Sequence, residues 1–107
     1  MSFIITVLYP NKDDITFDMK YYREVHLPLA EKLWKPMGML KWELIDVGPS
    51  HDGQKQQYRV ICVLTFKDRE SWTAAAMMPG VAEVMDDVPN FCNYEPIFIG
   101  GQLIGSG

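Results

Sequence analysis

The pattern of apolar and polar positions along the chain predicts four β-strands. Phe3–Tyr9 and Tyr58–Phe66 are apolar at most positions, which is typical of strands that are covered on both faces. Leu40–Val47 alternates between apolar and polar residues and therefore indicates a strand with one polar face. A fourth strand follows Pro96, since proline is tolerated where a strand begins.

Two helical regions separate these strands. An amphipathic stripe predicts a helix from Phe17–Asp18 to about Trp34. A second helix begins at Asp68, a residue type that caps helix N-termini, and runs to about Met78, where a Pro-Gly pair interrupts it before a short further turn. The polar segment 48–57 joins the second and third strands as a hairpin loop and contains His51.

The resulting order, β-α-β-β-α-β, predicts a single α+β domain over residues 1–107 with a ferredoxin-like fold and an antiparallel four-stranded sheet. Two helices cover only one face of such a sheet, yet the first and third strands are apolar on both faces. A second copy of the chain is the most economical cover for the other face. We therefore expect a homodimer in which two sheets pack face to face as one barrel.

Composition excludes several classes of function. The 107 residues include 48% hydrophobic residues and carry a net charge of −4, so neither a basic surface for nucleic acid nor an attraction to acidic membranes is expected. No apolar run approaches the roughly 18 residues of a membrane span, and Met1–Pro10 does not resemble a secretory signal. Cys62 and Cys92 lack metal-site spacing and read as free thiols, so we expect a cytoplasmic protein with no bound metal.

The segment YYREVHLPL, residues 21–29, contains the candidate chemistry. Tyr22 precedes His26 by four residues, which makes their side chains neighbours on a helix. Pro28 lacks an N–H group, and we expect the helix to bend next to His26. Two interpretations of His26 stay open: a satisfied histidine of the core, or a general acid and base that works near neutral pH.

Two longer segments resemble a known family. LYPNKDDITFDMKYYREVHLPLAEKL is similar to the opening of the EthD family, and DVPNFCNYEPIFIGGQLIG is similar to its closing segment. The resemblance implies a dimeric α+β barrel. That superfamily includes cofactor-free monooxygenases, aromatic cyclases, isomerases and haem-degrading enzymes that act in catabolism or secondary metabolism, together with members that have no assigned reaction.

The leading hypothesis is a cofactor-free protein that binds an apolar, aromatic or ketonic molecule between sheet and helices. His26 would move a proton and Tyr22 would steady charge on oxygen, giving cyclase, dehydratase, isomerase or monooxygenase-like chemistry. One alternative is a haem-binding or haem-degrading barrel in which His26 holds the iron. The other is a non-catalytic accessory protein that binds a ligand.

Further residues are candidate contacts to the ligand. Trp42 and Trp72 offer flat walls, and Leu29 lies on the apolar stripe of the first helix. Arg59, on a mostly apolar strand, either binds an anion or extends to an ion pair at an edge or interface. The adjacent Asp86 and Asp87 point about 100° apart on a helix, so we interpret them as a solvated helix end.

Overall fold

A computed structural model describes all residues from 1 to 107. The elements, in chain order, are β1 Phe3–Pro10, α1 Met19–Tyr21, a π-helical turn Tyr22–His26, α2 Leu27–Trp34, a 3-10 turn Lys35–Met37, β2 Met39–Asp46, β3 Tyr58–Phe66, α3 Arg69–Ala76, α4 Val81–Asp86, a 3-10 turn Val88–Asn90 and β4 Ile97–Gln102. None of the helices is long and apolar enough to span a membrane.

The four strands form one antiparallel sheet in the order β2-β3-β1-β4. This order confirms the predicted ferredoxin-like α+β fold. The two strands that are apolar at most positions, β1 and β3, lie at the centre, where each has a neighbour on both sides. The strands β2 and β4 lie at the edges.

The helices cover one face of this sheet. Along β1 and β3 the side chains on that face are buried, as for Val7 beside Cys62 and Tyr9 beside Val60. The opposite face carries a row of branched apolar residues that runs through all four strands in register, formed by Ile45, Ile61, Leu8 and Ile97. We call this opposite side the open face; at its edges Ile45 and Ile97 are each 46% exposed.

The first helix contains an irregularity at its proline. Asp18 caps the N-terminus by accepting a hydrogen bond from the Tyr21 backbone N–H at 3.0 Å. Pro28 has no N–H to donate to the carbonyl four residues before it, so regular α-helical bonding fails there. The chain accommodates this with a π-helical turn, in which the Leu27 N–H donates to the Tyr22 carbonyl five residues back. The distortion expected beside His26 thus takes the form of a wider turn, and the helix continues to Trp34.

Candidate active site

An apolar cavity lies between the sheet, the first helix and the α4 region. Its walls are formed by Val7, Tyr9, Tyr22, His26, Leu27, Ala30, Trp34, Leu64, Val84, Met85, Val88, Pro96 and Phe98. The space between atoms is about 360 Å³ with its mouth included, but the centre of a water molecule reaches only about 30 Å³ of it. That enclosed room suits about two waters. Met85, Val88 and Pro96 also border a surface groove, so a ligand larger than the enclosed room would have to displace side chains on that side.

His26 sits in the wall of this cavity and bonds to a carboxylate from a distant part of the chain. Its side chain is buried, and its Nδ1 lies 3.0 Å from Oδ2 of Asp87, which is 61 residues further on. The π-helical turn places His26, and the junction between α4 and the following 3-10 turn places Asp87. Two short helical segments therefore bring a histidine and a carboxylate together beside an apolar space.

Asp87 is held in its ionised form by several donors. Tyr21 donates its hydroxyl to Oδ1 at 2.6 Å, and the Asn90 side-chain amide donates to the same oxygen at 3.0 Å. Partial burial works to raise the pKa of Asp87, but the hydrogen bonds from Tyr21, Asn90 and His26 together outweigh it and hold that pKa below its usual value. The carboxylate is consequently negative at neutral pH.

The charge on Asp87 determines which nitrogen of His26 carries the proton. An ionised carboxylate only accepts hydrogen bonds, so Nδ1 must donate its N–H to Asp87. Burial lowers the pKa of His26, and Asp87 opposes that shift without reversing it, so the imidazole is neutral at neutral pH. Its Nε2 then has a lone pair and makes no hydrogen bond within the chain, as a general base requires.

Aromatic rings fix the orientation of the imidazole. Tyr22 stacks on His26 with 5.2 Å between ring centroids and 16° between planes, and Phe91 packs against the same ring at 4.5 Å. Tyr9 in turn contacts Tyr22 edge to face at 5.7 Å. This packing leaves His26 little freedom to rotate away from Asp87.

A second polar cluster consists of two phenols of the cavity wall and the buried thiol of Cys62 beside them. The Tyr9 and Tyr22 hydroxyls interact with each other, and Tyr22 also interacts with the thiol of Cys62. Burial raises the pKa of both tyrosines and raises the pKa of Cys62 to about 11. All three groups are therefore protonated at neutral pH and act as hydrogen-bond donors.

The sequence-predicted site residues separate into two groups. His26 and Tyr22 lie together in the cavity wall, whereas the four predicted ligand contacts do not line it. Trp42 donates its indole N–H to Glu31 at 3.3 Å, and Leu29 packs against the core. Trp72 contacts the cavity residues Trp34 and Phe98 from outside. Arg59 forms an ion pair with Asp46 of the neighbouring edge strand, the edge arrangement named among its interpretations.

One interpretation from the sequence is wrong. Asp86 and Asp87 were assigned to a solvated helix end, but only Asp86 is exposed, and the Asp87 side chain is 12% exposed and bonded to His26. The angle of about 100° between adjacent helical residues allows one of the two carboxylates to turn inward while the other faces water, but it does not show that either one does. Tyr9 was also missed, since a tyrosine in an apolar strand reads simply as core.

The residues of the cavity do not suit a metal or a haem. No group of three or more His, Cys, Asp or Glu side chains is arranged to hold a metal ion. His26 is the single nitrogen ligand in the wall, and the enclosed room of about 30 Å³ would have to open much further for a haem macrocycle than for a ligand of one or two rings. We therefore assign no step to either group.

Comparisons with known proteins give a family and a fold. A family model described as "EthD domain" matches residues 14–94. A search of curated proteins gives no significant match. An EthD-like protein from Ralstonia eutropha JMP134 superposes with a TM-score of 0.87 at 19% identity, covering 99% of this chain and 95% of that one.

Two further structures are more distant. A dimeric ferredoxin-like protein of unknown function from Jannaschia sp. CCS1 has a TM-score of 0.60 at 16% identity and covers 95% of this chain and 98% of its own. SnoaB, a cofactor-independent oxygenase from Streptomyces nogalater, has a TM-score of 0.63 at 10% identity and covers 98% of this chain and 94% of its own. At these identities the likeness establishes the fold alone.

Proposed function

Because the chain belongs to the EthD family, we propose that it is a cofactor-free proton-transfer protein that acts on an apolar small molecule. The observation that carries the proposal is the Asp87–His26 pair, in which Nδ1 is bonded to the carboxylate, Nε2 makes no hydrogen bond, and the histidine lies in the wall of an apolar cavity. SnoaB, which has a similar fold and is described as a cofactor-independent oxygenase, is a precedent for reactions without a cofactor on this fold.

The proposed chemistry begins with removal of a weakly acidic proton. Nε2 of His26 takes a proton from a C–H next to a carbonyl, or from a phenol, and the imidazolium that forms is stabilised by Asp87. The Tyr22 hydroxyl donates to the ligand oxygen on which negative charge develops. Return of the proton to another atom gives an isomerisation, dehydration or cyclisation, and reaction of the anion with O₂ as co-substrate gives a monooxygenase-like outcome.

Hydrogen exchange tests this proposal without knowledge of the natural reaction. The C–H groups beside the carbonyl of 2-tetralone are weakly acidic, and NMR in D₂O follows their replacement by deuterium. We expect the protein to accelerate this exchange and His26→Gln to abolish the acceleration. His51→Gln is the matched control, because His51 is the second histidine of the chain and lies exposed in the hairpin loop.

Two results would contradict the proposal. Exchange at the rate of buffer alone, despite measurable binding of 2-tetralone, would make the protein a carrier of its ligand. Equal acceleration by the His26→Gln variant would assign the proton transfer to another group.

We also propose that the protein is a homodimer joined through the open face. The row Ile45, Ile61, Leu8 and Ile97 gives each copy a flat apolar surface that matches itself by symmetry, and Ile99 beside it is 54% exposed. The Jannaschia neighbour is described as dimeric, which supports the same assembly. Sedimentation velocity at micromolar concentration tests the proposal, and a monomer would contradict it.

A further inference from the structure

The wall of the cavity contains no charged side chain. Among its thirteen residues the titratable ones are Tyr9, Tyr22 and His26, and all three are neutral at neutral pH for the reasons given above. Lysine and arginine are absent from the wall. A full negative charge, that of Asp87, lies directly behind His26.

This distribution of charge disfavours an anionic ligand. A carboxylate or phosphate would lose its hydration on entering an apolar space and would find no cation there to compensate. It would also lie near the negative charge of Asp87. A neutral ligand avoids both penalties, and when His26 takes its proton the imidazolium and the ligand anion that form balance each other, so the net charge of the site does not change.

The hydrogen-bond donors in the cavity wall suit a ligand with one oxygen acceptor. Apart from their contacts with each other and with Cys62, the Tyr9 and Tyr22 hydroxyls have no hydrogen-bond partner in the chain, although both side chains are at least 98% buried. Trp34 adds no donor, because its indole N–H is already bonded to the Ala75 carbonyl at 3.1 Å. Each hydroxyl has one O–H, so the two phenols, one on β1 and one on the first helix, can both donate to a ligand oxygen only when that oxygen replaces their contact with each other.

We propose that the site selects an uncharged substrate with one oxygen acceptor next to the proton that His26 removes, and that Tyr9 binds this oxygen together with Tyr22. The class of substrate is an enolisable ketone or a phenol without a carboxylate or phosphate group. The proposal rests on the proton-transfer function and adds to it a selection by charge and a second tyrosine.

A matched pair of bicyclic ligands tests the selection by charge. 2-Naphthol and 2-naphthoate have the same ring system, but at pH 7.5 the first is neutral and the second is an anion. Isothermal titration of the full-length chain should show binding of 2-naphthol at least about tenfold tighter than that of 2-naphthoate. Equal or tighter binding of 2-naphthoate, or no binding of 2-naphthol, would overturn the proposal.

Substitution of Tyr9 tests the second part. Tyr9→Phe removes one donor and keeps the ring, so the affinity for 2-naphthol should fall roughly five- to tenfold. Tyr58→Phe is the control, since Tyr58 begins β3 outside the cavity. An unchanged affinity of a folded Tyr9→Phe variant would overturn the role of Tyr9. If that variant does not fold, Tyr22→Phe and the comparison of ligands on the unaltered protein still decide the proposal.

These measurements are independent of turnover. If 2-naphthol is preferred but 2-tetralone shows no accelerated exchange, the proton-transfer function fails and the selection by charge stands. If exchange depends on His26 but 2-naphthoate binds equally well, the selection by charge fails alone.

Discussion

The two faces of the sheet differ in the arrangement of their polar and apolar side chains. On the helix-covered face a few polar side chains from distant segments lie among apolar ones, and the buried His26 is bonded to Asp87. On the open face branched apolar residues follow each other from strand to strand, and an exposed pair of charged residues, Lys41 and Glu43, lies at the β2 edge.

This difference between the faces corresponds to the two roles proposed for the sheet. A buried polar group needs a partner, so each one on the covered face is constrained in position and tautomer, which is what proton transfer requires. Apolar contact is not directional and needs only a surface of complementary shape. Such a surface suits the association of two copies. Substitutions on the two faces should therefore have separable effects.

The largest effect is expected from Asp87→Asn. The amide is similar in shape but no longer requires a donor at Nδ1 of His26, so the imidazole loses its fixed tautomer, and exchange of 2-tetralone should fall by on the order of a hundredfold or more. Asp86→Asn is a control one residue away, since Asp86 is exposed. NMR measurement of both exchange rates checks the prediction, and similar rates in the two variants would contradict it.

The next largest effect is expected on the open face. Ile99→Lys places a charge on the apolar surface, and in a symmetric dimer it does so twice, so sedimentation should show a monomer with a preserved circular dichroism spectrum. Val25→Lys, an equally apolar exposed position on the first helix (45% exposed), should leave the dimer intact. Loss of the dimer in both variants, or in neither, would contradict the assignment of the interface.

A moderate effect is expected on β4, where adjacent residues point to opposite faces of the sheet. Phe98 of β4 lines the cavity and stacks on Trp72, while its neighbour Ile97 points to the open face. Phe98→Ala should enlarge the cavity and speed the binding of 2-naphthol, at a cost of roughly 1–2 kcal/mol in unfolding free energy because Phe98 is 39% exposed. Stopped-flow binding and urea unfolding measure the two effects. Ile97→Ala should leave the binding rate unchanged, and equal rates in both variants would contradict this role of Phe98.

The smallest effect is a shift in pH dependence. Only neutral His26 acts as a base, and burial lowers its pKa, so the exchange rate should fall to half at a pH below 6.5. Asp87 raises the pKa of His26 by stabilising the imidazolium, so Asp87→Asn should move this midpoint lower still. NMR measurement of the remaining exchange activity of the Asp87→Asn variant from pH 4 to pH 8 gives the midpoint. A midpoint above that of the unaltered protein would contradict the prediction.

The sequence was a good guide where a pattern repeats within one element. The apolar run at Tyr58–Phe66 matched β3 to the residue, and Asp68 caps α3 as predicted by accepting from the Ser71 N–H. The motif around His26 also led to the cavity wall.

Features that depend on contacts between distant segments were out of reach. Nothing next to Asp87 in the sequence indicates that it meets His26, because that contact depends on how the α4 region packs on the first helix. The same reason applies to Trp42 and Arg59, whose side chains look suited to a ligand but are held by Glu31 and Asp46. Pro28 indicated a distortion of the helix without revealing that it would be a π-helical turn.

The tautomer of His26, measured by NMR, tests most directly whether the Asp87–His26 pair can act as a base. Nitrogen-15 NMR distinguishes a protonated ring nitrogen from one with a lone pair, and the two histidines of the chain can be assigned with His51→Gln. At pH 7.5 we expect His26 to be neutral, with the proton on Nδ1 and a bare Nε2. A proton on Nε2 at that pH, whether in the other tautomer or in the imidazolium, would contradict the account.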